Sequence, residues 1–360
     1  MTRPSRASLL STKFPVPLTE REELVLRSIV QLFILTTSPV GSRYLSKRLE
    51  EERLSAATIR NTMADLEEKG LITHPHTSAG RVPTDLGYRF YVDALMHAER
   101  LTGAERATIR RSIDPGTPTP LLMREASRLI AAVTSQLGLV TAPEVLDGRL
   151  ERVELVPLSS SRLLAVFSLG GSMVRTVTVE MRHEFTRDRL DMIAALLNER
   201  LAGVPLRELR ATARERLRDL ADPDDPLVRS IMESSDDLFA ESAGYDRVRI
   251  SPTQNLLRQP EFNNADQVRG IVELIENEEV VIHLLDEHAG DEGEVKVAIG
   301  SELGAEQLAD YSLVTTRYRV GSATGTVGLI GPKRMNYARM SVIVAAIASA
   351  LGGSQREPSL

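Results

Sequence analysis

Between Thr19 and Leu351 the spacing of apolar residues changes from helical to strand-like and back, and these changes divide the chain. Thr19 with Glu22 three residues on forms a capping box ahead of the apolar run Leu24 to Leu35, which predicts a first helix ending near Thr36-Thr37-Ser38-Pro39. Ser42 is expected to cap a second, short helix from Arg43 to Glu50, with Tyr44, Leu45 and Leu49 buried. Ser55 then caps a third, closed by Gly70, whose apolar residues Ile59, Met63 and Leu66 fall on one stripe. Leu71 to His74 and Arg81 to Thr84 read as two short strands around the turn formers of Pro75 to Gly80.

Farther on, Asp85 to about Ile113 reads as one or two helices in which Tyr88, Tyr91, Val92 and Leu95 are available to pack against the C-terminal remainder, and 114–120 (Asp-Pro-Gly-Thr-Pro-Thr-Pro) is a linker. Leu122, Ala126, Leu129, Val133 and Leu137 mark an amphipathic helix. Strands are predicted at Val153 to Pro157, Leu163 to Leu169 and Met173 to Val179. Four more are predicted at Val280 to Leu285, Val295 to Ile299, Ser312 to Tyr318 and Gly325 to Ile330, before a closing helix from Met335 to Leu351. Strands at both ends with helices between them predict an α+β domain interrupted by an insertion. Within residues 185–245, Leu206, Leu209, Ala213, Leu217 and Leu220 share one helix face and Arg207, Arg210, Arg214 and Arg218 another. Interleaved Glu208, Glu215 and Asp219 make the arginine row a solvated face or an interprotomer ion-pair surface.

The third helix carries the candidate chemistry. Opposite its apolar stripe lie Ala57, Asn61, Ala64 and Glu68, flanked by Thr58 and Asp65, with Arg60 at the edge. Such short side chains let a helix enter a groove of DNA, where Asn pairs with an adenine edge and Arg with guanine or phosphate; an ordinary surface helix has similar facial polarity. Three helices followed by a hairpin are the winged helix-turn-helix arrangement. Candidate DNA-binding residues are Ser42, Arg43, Lys47, Ser55, Ala57, Thr58, Arg60, Asn61, Ser78 and Arg81, with amide donors at the Ser42 and Ser55 helix starts offered to phosphates. Arg48 and Arg53 either add to this basic set or pair instead with Glu50-Glu51-Glu52. His74 and His76 read as parts of an exposed hairpin, since no third ligand stands at a zinc spacing.

These segments resemble the heat-inducible transcription repressor family HrcA. The resemblance rests on Pro39-Val40-Gly41-Ser42-Arg43, Leu54 to Asn61 with Met63 to Glu67, and Ser78 to Asp85 with Gly87 to Asp93. It continues in Thr253 to Leu257 with Pro260-Glu261-Phe262, and in Gly325 to Tyr337. Ala56 stands where many relatives carry proline, a favourable but dispensable residue at a first helical position. The resemblance implies an α+β multidomain protein: a disordered lead at 1–17, a winged-helix domain with junction helix at 18–113, and a GAF-like domain at 121–184 and 246–352. It implies also an inserted, mainly helical dimerisation domain at 185–245 and a tail at 353–360. It further implies a homodimer on an inverted-repeat operator of double-stranded DNA in front of heat-shock operons, released on heat stress, with activity supported by the GroEL chaperonin. An alternative keeps the winged helix and makes a small metabolite, bound in the GAF-like domain, the switch.

Charge and composition narrow the field. The net charge of −6 conceals an asymmetry: residues 1–100 hold 14 Lys+Arg and 12 Asp+Glu, while the remainder holds 30 and 38. DNA affinity therefore depends on how the arginines are placed rather than on bulk charge. The absence of cysteine excludes a disulfide framework and fits a reducing cytoplasm. The apolar run Val342 to Leu351 is far short of a membrane span, so no membrane partner is expected. Gly325, Gly328 and Gly331 before Lys333-Arg334 do not have phosphate-loop spacing and read as packed strand glycines, with Arg334 and Tyr337 either lining a pocket or locking the closing helix. The six scattered histidines accompany no nucleophile or metal motif, so neither an enzyme nor a cofactor is expected.

Overall fold

The computed structural model describes residues 17–52, 54–75, 80–97, 99–114, 116–143, 149–169, 173–180, 185–217, 247–263, 265–320 and 323–353. It is a mixed α+β chain that divides into two compact units, one of residues 1–141, 248–317 and 326–360, the other of 142–247 and 318–325.

The first unit begins with a small head. Helix α1 (Glu20–Thr36) starts at the capping box: Thr19 Oγ1 accepts from Glu22 N at 3.3 Å, and Thr19 N donates to Glu22 Oε2 at 2.8 Å. It ends at Thr37, which takes a left-handed conformation and donates its N–H to Phe33. Helix α2 (Ser42–Arg48) is capped by Gly41, not by Ser42 as expected; Ser42 is its first residue and provides no capping bond. Helix α3 (Ala56–Glu68) is capped by Ser55, whose Oγ accepts from Thr58 N at 3.1 Å. Gly70, at φ +72°, reverses the chain after α3, and strands β1 (Ile72–Thr73) and β2 (Val82–Pro83) pair antiparallel. Val25, Leu26, Ile29 and Val30 of α1, Leu45 of α2, and Ile59 and Leu66 of α3 are fully buried together. At about 1.5–3 kcal/mol each, these residues supply most of what holds three short helices.

Helix α4 (Asp85–Phe90) continues into a wide turn at Tyr91–Leu95, where Met96 N donates to Tyr91 O. Helix α5 (Gly103–Ser112) and helix α6 (Thr119–Thr134) come next. The linker expected at 114–120 is thus shorter, because Pro120 sits in the first turn of α6, where its missing N–H costs no bond.

Five strands, β3 (Leu137–Thr141), β7 (Val248–Ile250), β8 (Lys296–Ile299), β9 (Tyr311–Val320) and β10 (Ala323–Pro332), form one sheet in the order β7-β3-β10-β9-β8. Strand β3 departs from the expected helix through Leu137. Ser135, at φ +58°, ends that helix and turns the chain into a strand buried at every position. An all-apolar strand carries no alternation to distinguish it from a buried helix face. Val280 to Leu285 is the opposite case. Expected as a strand, it forms helix α10 (Glu278–Glu287), because Asn277 caps it and Glu278 and Glu279 favour its first turn. Helix α9 (Ala265–Glu276) precedes it, and helix α11 (Tyr337–Leu351) closes the unit.

In the second unit, β4 (Leu150–Pro157), β5 (Arg162–Leu169) and β6 (Met173–Glu180) form an antiparallel meander. Helix α7 (Arg187–Leu201) packs on it and against helix α8 (Leu206–Leu217). Asn198 of α7 satisfies an irregular point of β4, accepting from Val153 N at 2.7 Å and donating to Val153 O at 2.8 Å. Leu150, Val153, Leu163, Phe167, Leu190, Ile193, Leu209 and Leu217 share one core. This unit is wider than the segment 185–245 expected as an insertion, since its core joins the meander to α7 and α8. The side chains of Arg207, Arg210 and Arg214, and residues Arg218, Asp219 and Leu220, lie outside the described residues.

Candidate nucleic-acid interface

Helix α3 keeps Ile59, Thr62, Met63 and Leu66 buried, and leaves Ala57, Arg60, Asn61, Ala64, Asp65 and Glu68 exposed, with Thr58 half-buried. Thr62 is buried as a helix residue whose hydroxyl bonds back to Thr58 O at 3.1 Å. On α2, which packs against α3, Arg43 and Lys47 are exposed and Ser42 is half-buried. Among the described residues Arg43, Lys47 and Arg60 have no ion-pair partner. Of the two alternatives for Arg48, pairing with the Glu50-Glu51-Glu52 run does not occur among the described residues, and Arg53 lies outside them. Tyr44 is 48% exposed between Arg43 and Lys47, contrary to the expectation that it is core. Leu45 is the buried residue of this two-turn helix, and Leu49, also expected in the core, is half-buried.

The hairpin is tied to the head at both ends. Val40 and Arg81 exchange two backbone hydrogen bonds of 2.9 Å, extending the β1-β2 ladder by one bridge. Gly80 allows that approach, since a Cβ there would lie 2.6 Å from the carbonyl carbon of Val40. Arg81 does not extend freely: its guanidinium donates to Glu67 Oε2 at 2.7 Å, and His74 Nδ1 lies 2.6 Å from Glu67 Oε1. The bonds from His74 and Arg81 hold the Glu67 carboxyl below the usual carboxylate range. Arg81 thus braces the hairpin against the last turn of α3. Ser78 and His76, at the tip, lie outside the described residues.

A second carboxylate holds the same end of α3. Glu22, buried in the capping box, accepts from Lys69 Nζ at 2.6 Å. Burial opposes its ionisation, but Lys69 and the two bonds from Thr19 outweigh burial and keep its pKa low. Sequence spacing could not reveal this pair, whose members stand 47 residues apart.

A capped helix with a small polar outer face, a paired hairpin braced to it, and unpaired cations beside it define a candidate nucleic-acid-binding head on a multidomain α+β body. A model of the HrcA protein C-terminal domain matches residues 121–341. The heat-inducible transcription repressor HrcA of Chlorobium phaeobacteroides is 39% identical over 94% of this chain and 98% of its own length. That of Chlorobium luteolum is 39% identical over 88% and 92%. A crystal structure of a hypothetical protein superposes with a TM-score of 0.61 at 25% identity, covering 94% of this chain and 98% of that one. The chain belongs to the HrcA family, and it is a negative regulator of heat-shock genes. Among the described residues no helix is long and apolar enough to cross a membrane.

Proposed function

We propose that residues 18–113 form a winged-helix DNA-binding domain in which α3 enters the major groove, Ala57, Thr58, Arg60 and Asn61 meeting base edges and Ser42, Arg43, Lys47 and Ser55 meeting phosphates. Ser78 and Arg81 then flank the site on the wing, Arg81 chiefly by holding the wing in place. The observation that carries this reading is the outer face of α3, where Arg60 and Asn61 stand exposed with the small Ala57 and Ala64 on either side. The remaining chain is a GAF-like domain interrupted by a dimerising segment, so that two heads read an inverted repeat. The HrcA resemblance supports an operator ahead of heat-shock operons, occupancy aided by GroEL, and release on heating.

Fluorescence anisotropy with an inverted-repeat promoter fragment from a heat-shock operon tests the groove assignment. Each bidentate base contact is worth about 1–3 kcal/mol, so Arg60→Ala and Asn61→Ala should each weaken specific binding by about 5- to 150-fold while leaving sedimentation of the unbound protein unchanged. Operator binding by both variants at wild-type strength would remove α3 from the groove.

A further inference from the structure

We infer that Arg334, Lys333 and Arg89 are positioning residues that lock the head to the body and thereby set the half-site spacing the protein accepts, without themselves touching DNA. The inference rests on the reading of the chain as a dimer on an inverted repeat.

Among the described residues, Arg334, Lys333 and Arg89 join the head to the five-stranded body within the first unit, and Asn336 with Glu99 and Arg339 with Glu105 tie the segment around α5 to α11. At the turn after β10, Arg334 is held by Glu261, through Nε to Oε1 at 2.5 Å and Nη2 to Oε2 at 3.2 Å. Its remaining nitrogen donates to Ile34 O at 2.7 Å, a carbonyl in the last turn of α1. Beside it, Lys333 Nζ meets Asp85 Oδ1 at 2.8 Å, and the other oxygen of Asp85 accepts from Ser301 N at 3.1 Å. One turn farther along α4, Arg89 grips both carboxylate oxygens of Glu302 and donates to Val297 O. Tyr88 stacks edge-on against Tyr337 between these attachments, with ring centroids 5.9 Å apart, and Tyr337 is fixed in turn by Ser312 and by Lys333 O.

The contacts reach the head at the end of α1 and at two successive turns of α4, so it is held at more than one point. The Arg89 and Arg334 side chains are each only 16% exposed, so neither is a loose surface contact. The body side is shaped for the fit: Gly300, at φ +54°, has no room for a Cβ, which would fall 2.1 Å from Asp85 Oδ2. Without the clasp, the head remains tied through α5 and its flanking segments. Two clasped heads present their α3 helices over a narrower range of separations than two unclasped heads.

The chain has no cysteine, so paired nitroxide labels can be placed at Glu68→Cys on α3 and Glu306→Cys on the body, diluted with unlabelled chain. A narrow distance distribution is expected for the parent and a broad one for Arg89→Ala combined with Arg334→Ala. Lys333→Ala serves as a milder variant should the double one fail to fold. In parallel, anisotropy is read on a single half-site and on inverted repeats whose spacer grows in single base pairs. Half a helical turn, about 5 bp, puts the second half-site on the opposite face of the duplex and should weaken parent binding by at least about tenfold, whereas the unclasped variant should lose less than about threefold. Half-site affinity should stay within about twofold, since no phosphate or base contact is removed. Labels that stay narrow in the variants overturn the clasp, as does a broadened distribution with spacer preference intact. Failure of the parent to prefer any inverted repeat removes the dimeric operator reading instead, and the labels still decide the clasp.

Discussion

Glu22 closes the capping box of α1 and also holds Lys69 beyond the end of α3, so two substitutions separate its roles. Glu22→Gln keeps an acceptor for Thr19 N but removes the charge opposite Lys69. With Glu22 buried and the Lys69 side chain 23% exposed, losing one member of that pair should cost about 1–2 kcal/mol, below the 3–5 of a fully buried pair. Glu22→Ala also removes the cap bond, adding about 1 kcal/mol. Hydrogen exchange of peptides spanning residues 19–36 reads this locally in an intact multidomain chain, and protection should fall about 5- to 30-fold for Gln and about 30- to 150-fold for Ala. The pH dependence has a definite sign. The folded pKa of Glu22 lies below its unfolded value, so its contribution is complete above about pH 4.3 and disappears as pH falls through the folded pKa. The difference between parent and Glu22→Gln should therefore narrow in thermal melts as pH falls below about 4.3. No loss for Gln at pH 7, or a difference that does not narrow as pH falls, would refute the pairing.

The same substitution should have opposite signs at two glycines. Gly87→Ala puts a methyl 1.9 Å from Leu71 O and displaces β1, a loss of about 1–3 kcal/mol, whereas Gly103→Ala meets nothing within 4 Å and should gain up to about 1 kcal/mol; urea midpoints compare them. The Tyr88 hydroxyl is buried without a hydrogen-bond partner among the described residues, so Tyr88→Phe should leave the melting temperature unchanged or raise it by the equivalent of about 1 kcal/mol, and a clear fall would show that the hydroxyl is satisfied. Arg43→Ala should weaken specific and nonspecific DNA alike and lower the salt slope of binding by about one, measured by anisotropy from 50 to 200 mM salt.

The head is readable in the sequence because its signals are local. Capping residues at Thr19 and Ser55, the Ile59-Met63-Leu66 stripe and the turn formers before Arg81 each act within a few residues. Where sequence and structure part, a longer-range effect decides the outcome. Leu137 to Thr141 is a strand because β7 and β10 enclose it on both sides, which no periodicity encodes. Tyr44 is half exposed while its neighbour Leu45 is buried, a choice that the apolar pattern of a seven-residue helix leaves open. The proposed interface residues Arg43, Lys47, Arg60 and Asn61 are legible from facial polarity, but the pairing of Arg81 with Glu67 is not, since the contact expected of Arg81 from sequence is phosphate. Arg334 and Tyr337 are recognisable only as a pocket or a lock, because the choice depends on Ile34 and Glu261, 300 and 73 residues from Arg334.

The chemistry of the clasp also bears on where heat acts. An apolar interface between head and body would tolerate sliding, because the hydrophobic effect has no direction. Paired guanidinium and carboxylate groups fix angle as well as distance, which suits a contact whose task is orientation. The desolvation penalty of such pairs falls as temperature rises, so they weaken less on heating than the backbone ordering that conformational entropy opposes. In the head, that ordering rests on three short helices around a few fully buried side chains, with Glu22-Lys69 and Glu67-Arg81 tying α3 at its end. A repressor of heat-shock genes with this construction therefore has its thermal weak point in these small apolar cores, while the clasp still holds its geometry.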